Sequence, residues 1–307
     1  MSDFSNPIFH DETKAREWLE TRIWPNGPVC PRCGGVDSAT LMKGKTTRPG
    51  LYQCNACRKP FTVTVGTLYE RSKIPLHKWL AATHLICASK KGISALQVGR
   101  LLGLSKKTAW FLCHRIRESL RPTGVLPGMG GNGGIVEADE TFIGTKKGAR
   151  KAGSGYAHKM AVFALVDRDT KQARSFVIDD VKAATIAALV HKNLDYKARL
   201  VTDDARYYYV AGKQQPSHKT IRHSIGEYVR GEVHTNTIES FFSVFKRGMK
   251  GTYQHCGEQH LHRYLAEFDY RYNNRTALGV DDATRMEKSV AGIVGKRLTY
   301  RRPSRQA

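Results

Sequence analysis

Acidic residues are scarce in this 307-residue chain, which has 27 Asp and Glu residues against 50 Lys and Arg residues. The formal net charge of +23 at pH 7 is too large to be incidental. It indicates a polyanionic partner, most simply DNA or RNA, with an anionic membrane surface as the competing interpretation. The chain has no run of about 20 apolar residues, and its polar, acidic N-terminal residues do not resemble a signal peptide. We therefore expect no membrane partner.

Cysteine is also sparse, with seven residues in the chain. Four of them form two CxxC pairs, and the other three are scattered, as buried reduced thiols would be. This pattern indicates a protein of a reducing cytoplasm. The scattered residues are Cys87, Cys113 and Cys256.

The two CxxC pairs, Cys30 with Cys33 and Cys54 with Cys57, are separated by 20 residues. Four thiolates at this spacing suit one tetrahedral Zn²⁺ ion, as in a zinc ribbon. A disulfide pair or a redox CxxC is the alternative, but neither needs a duplicated pair. Because four thiolates close the coordination shell, we expect the zinc to be structural.

The segment after the ribbon has helical periodicity and predicts a helix-turn-helix-like pair. Ser94 and Ser105 are expected N-caps, and Gly103 is expected in the turn. A plain helical hairpin with a solvated basic face is the alternative. The residues expected on or near the second helix, where groove contacts to DNA occur, are Lys106, Lys107, Thr108, His114 and Arg115.

A segment rich in Gly and Pro, residues 121–134, marks a domain boundary. The sequence beyond it predicts three strands followed by alternating helices and strands, and then two helices. That order indicates an α/β domain with a mixed sheet and a ribonuclease H-like fold. We expect a helix and zinc ribbon over residues 1–70, the helix-turn-helix-like domain over 71–125, the ribonuclease H-like domain over 126–280 and a basic tail over 281–307.

Three acidic residues lie where this fold could bring them together. Asp139 is within the first predicted strand, Asp203 ends a buried strand, and Glu239 lies on a helix 36 positions after Asp203. Phosphodiester chemistry often uses two divalent ions bridged by carboxylates, and carboxylates suit Mg²⁺ or Mn²⁺. The sequence therefore predicts a two-metal site.

The helix that carries Glu239 also carries Lys246, seven residues and about two turns later. An acid and a base on one helical face suit a metal ligand and a phosphate contact. A solvated, salt-bridged face is the alternative, and on the helix alone it would be favoured. The matched acids on two strands favour the metal site.

The segments VEADETFIG, VTDDARYY and HTNTIESFFSVFKRGMKGTYQHCGEQHLHRYLAEFDYRYNNR resemble the DDE transposases of bacterial insertion sequences. The closest resemblance is to the ISXO-type branch, which carries an N-terminal zinc ribbon. It implies a ribonuclease H-like core and a DDE triad followed by lysine. These positions fall on Asp139, Asp203, Glu239 and Lys246.

The resemblance also implies how such a protein acts. It implies two Mg²⁺ or Mn²⁺ ions, cleavage at the ends of an element, and joining of the 3′-OH ends to target DNA. The implied partners are double-stranded DNA, as terminal inverted repeats and target, and further copies of the chain on that DNA. The implied location is the nucleoid of a bacterial cytoplasm. A zinc-ribbon DNA-binding regulator without catalysis, or another ribonuclease H-like nuclease, is the alternative.

Neighbouring residues leave the first ligand position open. Glu137 shares a strand face with Asp139, because side chains alternate along a strand. Glu140 is expected to be a surface acid. Tyr207 and Tyr208 are expected to pack on the helix that follows Asp203.

The other two ligand positions have competitors as well. Asp204 replaces Asp203 if the strand ends one residue later. Asn236 lies one turn before Glu239 and competes with it as the third residue. A carboxylate binds a hard cation better than an amide does, which favours Glu239.

Overall fold

The structure, a computed structural model, describes residues 4–151, 153 and 155–299. The chain divides into two units, Met1–Pro122 with Thr276–Ala307, and Thr123–Arg275. Within the described residues, no helix is both long and apolar enough to cross a bilayer.

The first unit begins with a helix and the zinc ribbon. Helix α1 starts after Asp11, whose side chain accepts a hydrogen bond from the backbone N–H of Lys14. The ribbon is a three-stranded antiparallel sheet in the order β1-β2-β3, beside which Trp24 packs edge-on against Tyr52 and Phe61. The elements are α1 (Glu12–Ile23), β1 (Ala39–Leu41), β2 (Tyr52–Cys54) and β3 (Pro60–Phe61).

The closing strand is shorter than its alternating sequence predicts. FTVTVGTLYE alternates apolar and polar residues, but β3 ends at Phe61. The chain then forms turns, with hydrogen bonds from Val65 N–H to the Thr62 carbonyl and from Thr67 N–H to the Thr64 carbonyl. Gly66, at φ +74°, continues the turn.

The predicted helix-turn-helix-like pair is confirmed, with the predicted caps. Ser94 accepts from Gln97 N–H, and Ser105 accepts from Thr108 N–H. Gly103 ends the first helix of the pair in the left-handed conformation that glycine adopts without strain. The helices are α2 (Leu76–Ala88), α3 (Ala95–Leu102) and α4 (Lys106–Ser119).

The second unit contains a five-stranded mixed sheet in the order β6-β5-β4-β7-β8. Strands β6, β5 and β4 are antiparallel, whereas β4, β7 and β8 are parallel. This arrangement confirms the predicted ribonuclease H-like mixed sheet. The strands are β4 (Ile135–Ile143), β5 (Met160–Asp167), β6 (Ala173–Ile178), β7 (Arg199–Asp203) and β8 (Ser217–Ile221), and a hairpin of β9 (Val229–Arg230) and β10 (Val233–His234) follows.

Helices cover both faces of this sheet. One core contains Val136 and Ala138 of β4 with the buried side of α5. The other contains Ile143 and the apolar stripe of α7, in which Ile238, Phe241, Phe242 and Phe245 are buried as predicted. The helices are α5 (Ala183–Asn193), α6 (Tyr208–Gly212), α7 (Asn236–Gly248) and α8 (Leu261–Asn273).

Residues 281–307, which the sequence assigns to a basic tail, include a helix of the first unit. Helix α9 (Asp282–Ala291) begins after Asp281, which accepts from Thr284 N–H, and buries Met286 and Val290. The assignment rested on the positive charge beyond residue 294 and overlooked this capped, amphipathic stretch. Residues 300–307 lie outside the described residues, and the predicted boundaries at 70 and 125 stay predictions.

Candidate active site

Strands β4 and β7 bring Asp139 and Asp203 to the same level of the sheet. The two strands are parallel neighbours, with Glu137 opposite Val201. Two residues further along each strand, Asp139 lies level with Asp203. Residues two apart share a face, so both carboxylates lie on the side of the sheet that carries α7.

Glu239 reaches this region from the first turn of α7. Thr235 is buried just before the helix, and its hydroxyl donates to Glu239 Oε1 at 2.7 Å. His223 Nε2 lies 3.5 Å from the same oxygen and 3.3 Å from the Thr235 hydroxyl. This support orients an otherwise exposed carboxylate. His223 was not among the candidates from sequence, since nothing in its local pattern marks it.

Glu137, the alternative on β4, has a structural role. It is fully buried, and its Oε2 accepts from the backbone N–H of Ile238 at 2.8 Å. Its Oε1 accepts from Arg168 Nε at 2.5 Å, and Arg168 also donates to the backbone carbonyls of Glu232 and His234. The carboxylate therefore fastens the start of α7 to β4, and Asp139 is the acid of this strand face that remains open.

One cavity of about 510 Å³ joins an acidic side to a basic side. Asp139 and Glu239 line it together with Lys246, Arg247 and Lys250. Lys246 is half-buried, whereas Arg247 and Lys250 are exposed. Ser243 and Phe242 complete the lining. Such a cavity presents carboxylates and ammonium groups to one ligand, which suits a metal-bound phosphate.

The electrostatics of the cavity are those of crowded carboxylates. Burial raises the pKa of Asp139 to about 8, and the charges of Glu140, Asp203 and Glu239 add to the rise. Burial, with the charge of Asp204, also raises the pKa of Asp203. A bound cation stabilises half-buried carboxylates whose negative charges repel one another.

Glu140 contradicts its prediction as a surface acid. It is half-buried and accepts hydrogen bonds from the hydroxyls of Tyr207 and Tyr208, the latter at 2.7 Å. Burial raises its pKa. The tyrosines do more than pack on α6, because they hold this acid beside Asp139. The signal in the sequence was the run of tyrosines after Asp203, but no local rule pairs them with Glu140.

The two remaining competitors, like Asp203 itself, lie outside the lining described for the cavity. Asp204 is exposed, at 3.4 Å from the Ser224 hydroxyl. Asn236 is exposed at the first residue of α7. After burial, the charges that raise the pKa of Asp139 are those of Glu140, Asp203 and Glu239. The assignment of ligands nevertheless stays a prediction.

The three acids do not form a tight cluster of ligand atoms in this structure. Among the described residues, only the four ribbon cysteines form a group of three or more His, Cys, Asp or Glu ligand atoms all within 4.8 Å of one another. The three acids are spaced more widely than one small cation requires. Two ions about 3.5–4 Å apart spread their ligands further, and hard oxygen donors suit Mg²⁺ and Mn²⁺.

The cysteine cluster fits Zn²⁺. The Sγ atoms of Cys30 and Cys57 are 3.7 Å apart, and those of Cys33 and Cys54 are 3.6 Å apart. Tetrahedral zinc with bonds of about 2.3 Å places its sulfur ligands roughly 3.8 Å apart. Backbone N–H groups, first that of Cys57, lower the pKa of the Cys54 thiol, whereas hydrogen bonds with the other thiols raise the pKa of Cys33. Gly34, at φ +73°, turns the chain directly after Cys33.

The basic residues of α4 divide into exposed and buried groups. Lys106 and Lys107 are exposed in the first turn, as groove contacts require. His114 and Arg115 are buried, so the expectation that they contact DNA is wrong. The Arg115 side chain donates to the Glu70 carbonyl at 2.9 Å and stacks over Trp79. It faces inward because the apolar side of α4 faces the helical core.

Comparison with known proteins gives two family matches. Residues 132–273 match the ISXO2-like transposase domain. Residues 10–60 match the transposase zinc-ribbon domain. A relative from Halobacterium salinarum, described as an uncharacterized protein in transposable element ISH50, is 27% identical over 279 residues, covering 86% of this chain and 91% of the relative.

Among solved structures, the simian T-cell lymphotropic virus intasome in complex with PP2A regulatory subunit B56 gamma matches with a TM-score of 0.30 and 12% identity. The match covers 56% of this chain and 63% of that chain, which is less than two thirds of its length. A likeness of this strength carries no functional argument.

Proposed function

We propose that this chain, which matches the ISXO2-like transposase domain over residues 132–273 and the transposase zinc ribbon over residues 10–60, cuts element ends and joins them to target DNA. The proposed catalytic residues are Asp139, Asp203, Glu239 and Lys246. The proposed cofactors are two Mg²⁺ or Mn²⁺ ions. The observation that carries the proposal is that Asp139 and Glu239 line one cavity with Lys246, while Asp203 ends the strand beside that of Asp139.

The three acids would hold the ions, and Thr235 and His223 would keep the Glu239 carboxylate turned toward them. When bound, such ions activate the attacking oxygen and stabilise the leaving oxygen of a phosphodiester. Lys246 would hold a phosphate oxygen next to the bond that breaks. Lys250 and Arg247 also line this cavity and would extend its positively charged surface along the bound DNA strand.

Two phosphoryl transfers follow in order. Water attacks the phosphodiester at the element end, a new P–O bond forms, and the bond to the 3′ oxygen breaks, which frees a 3′-OH. That hydroxyl then attacks a phosphodiester of target DNA, and the target's own 3′ oxygen leaves. No covalent bond to the protein is needed, because the ions would supply activation of the nucleophile and stabilisation of the leaving group.

The first unit would supply recognition of DNA. The ribbon and the α3–α4 pair expose basic residues, including Lys106 and Lys107, and the whole chain carries a net charge of +23. The proposed substrates are the terminal inverted repeats of the element and a target duplex, bound by two or more copies of the chain so that both ends are joined together.

The experiment measures Mg²⁺-dependent nicking and strand joining by the purified chain on DNA taken from the flanks of its coding region. Asp139→Asn, Asp203→Asn and Glu239→Gln should each lower both rates by at least about 100-fold while DNA affinity is retained. Asp204→Asn and Asn236→Ala are the matched comparisons, because each lies beside or one turn from a proposed ligand.

Each outcome separates the candidates. A regulator without catalysis would bind the DNA and never nick it in Mg²⁺ or Mn²⁺. Another ribonuclease H-like nuclease would cut without joining. Loss of activity in Asp204→Asn or Asn236→Ala, with full activity in Asp203→Asn or Glu239→Gln, would move the ligand assignment to the neighbouring residue.

A further inference from the structure

A second cavity, of about 540 Å³, lies beside the first in the same unit. The two cavities share Lys246 and Lys250 in their walls. The second cavity extends along the last residues of β4, from Glu140 to Gly144. A strand whose phosphate lies at the shared lysines would therefore present its neighbouring nucleotide to this second cavity. None of the proposed chemistry uses it.

One wall is an exposed aromatic platform. Tyr156 stacks on Phe142 with ring centroids 4.7 Å apart and planes 13° from parallel. The ammonium of Lys159 lies 5.2 Å from the centre of the Tyr156 ring. Even so, 55% of Tyr156 is exposed, whereas Phe142 is half-buried. Stacking fixes the orientation of the tyrosine, so it can accept a flat ligand with little loss of side-chain entropy.

The part of the cavity lining that follows helix α7 has an unusual backbone. Helix α7 continues into a π-helical turn, Met249–Tyr253, and Gln254 then adopts φ 56° and ψ −52°. A hydrogen bond from His255 N–H to the Tyr253 carbonyl closes a γ-turn with positive φ around Gln254, a rare and strained form. Both π-helical turns and strained residues concentrate at functional sites.

The surroundings hold this strain in place. The hydroxyl of Tyr253 donates to Glu267 of α8, which also accepts from Arg271. Glu267 is fully buried, so the end of the π-helical turn is anchored in the core. The exposed Gln254 thus lines the cavity from a fixed backbone.

The chemistry of the lining selects a nucleotide. An aromatic platform and the apolar Met249 suit the faces of a base, and the Gln254 amide offers one acceptor and two donors to its edge. Lys159, Lys246 and Lys250 suit the flanking phosphates. A duplex cannot offer a base in this way unless the nucleotide leaves the stack.

Resting on the function proposed above, we infer that this cavity receives the base of an unpaired nucleotide next to the scissile phosphodiester and stacks it on Tyr156. The site holds the strand in position while the neighbouring phosphate lies between the acids and Lys246. Ends that open easily would bind better, because less stacking energy is lost when the nucleotide is extruded.

The test compares two short nicked duplexes that differ at one position. One carries a single unpaired thymine at the nick, and the other carries an abasic residue there. Affinity of the full chain is measured by fluorescence anisotropy without added Mg²⁺, so that no cutting occurs. The wild-type chain should bind the thymine probe about tenfold more tightly, as one base stacked on an aromatic side chain gives.

Substitutions identify the platform. Tyr156→Ala should reduce the ratio of the two affinities to about one, and Tyr156→Phe should keep it, since the ring remains. Tyr196→Ala is the matched control and should keep the ratio too. Tyr196 is 75% exposed in the same unit and has Lys197 at 5.3 Å from its ring, but it lines neither cavity.

A second measurement needs no variant. Cys256 lines the same cavity, so the thymine probe should slow its alkylation by N-ethylmaleimide, and the abasic probe should not. Peptide mass spectrometry separates this thiol from the other six. A ratio unchanged in Tyr156→Ala, or equal protection by both probes, would overturn the inference.

The probe affinities, taken together with the nicking assay in Mg²⁺, distinguish failure of this inference from failure of the proposed function. A wild-type chain that nicks DNA in Mg²⁺ but binds both probes equally overturns the base site alone. A wild-type chain that prefers the thymine probe through Tyr156 but never nicks DNA overturns the catalytic proposal and leaves the base site standing.

Discussion

The carboxylate of Glu137 on β4 accepts a hydrogen bond from the backbone N–H of Ile238 in the first turn of α7, at 2.8 Å. Glu137 is two residues before Asp139, and Ile238 is the residue before Glu239. One buried contact therefore sets the separation of two proposed ligands. Glu137, which supports the site, lies next to the acids that are proposed to bind the ions. Loss of Glu137 and loss of a proposed ligand should therefore have different effects.

Removing Glu137 should destabilise the protein. Glu137→Ala leaves Arg168 without its buried partner and the Ile238 N–H without an acceptor, which should cost about 3–5 kcal/mol of unfolding free energy. Urea denaturation of the zinc-loaded chain measures this. Glu232→Gln, which removes an exposed acid 3.1 Å from Lys219, is the control and should cost much less. Equal losses in both variants would contradict the buried clamp.

Removing the charge of Asp139 should have the opposite effect. Burial and neighbouring acids raise the pKa of Asp139 to about 8, so stability is lost as the pH rises from about 4 through about 8 and the carboxyl group is forced to ionise in the folded state. Without divalent cations, Asp139→Asn should raise the unfolding temperature by about 2–4 °C, equivalent to about 1 kcal/mol. Asp204→Asn removes an exposed charge and should change the unfolding temperature less. A lower unfolding temperature for Asp139→Asn would contradict the crowded-carboxylate description.

Zinc should hold the ribbon together. We expect about one Zn²⁺ per chain by elemental analysis, because four cysteines form the cluster. Cys30→Ser with Cys33→Ser should abolish zinc binding, open the ribbon to proteolysis and weaken binding to element ends by at least about tenfold. Cys87→Ser, which changes a buried cysteine outside the cluster, is the control. Full zinc content in the double variant would refute the assignment.

The half-buried Asp269 should make stability depend on pH. Burial raises its pKa to about 7, although Ser175 donates to it from both its backbone N–H and its hydroxyl. Because the folded-state pKa lies above the unfolded value of about 4, this stabilisation is fully present below about pH 4 and is lost as the pH rises through about 7. The expected slope is on the order of 1 kcal/mol for each pH unit.

Thermal unfolding across that window tests the slope. Asp269→Asn should make the slope shallower, because one titrating group is gone, whereas Asp139 still titrates in this window. Ser175→Ala removes one hydrogen bond but leaves the carboxyl group, so the slope should persist. A wild-type chain whose stability rises steadily from pH 5 to 7 through Asp269 would contradict the direction of the shift.

The features found from the sequence are those encoded locally. The caps Ser94 and Ser105 act on residues three positions away, and the CxxC pairs fix a knuckle within four residues. The apolar stripe of α7 follows from helical spacing alone. The order of strands and helices along the chain follows because each buried strand is bounded by turns. The resemblance to a known family located the acids.

The features that were missed depend on packing between distant segments. Glu140 is held by tyrosines 67 and 68 positions away. His223 reaches Glu239 from a separate loop. The γ-turn at Gln254 exists because Tyr253 is anchored on α8, which no local pattern reports. Charge counts also misled, since Arg115 is basic but buried.

Diffraction from crystals soaked in Mn²⁺ tests the central claim most directly, because manganese scatters anomalously and replaces magnesium at oxygen ligands. The account predicts two anomalous peaks about 3.5–4 Å apart between the carboxylates of Asp139, Asp203 and Glu239. An anomalous map from fully soaked crystals that shows no peak there, and three carboxylates that turn away from one another, would contradict the account.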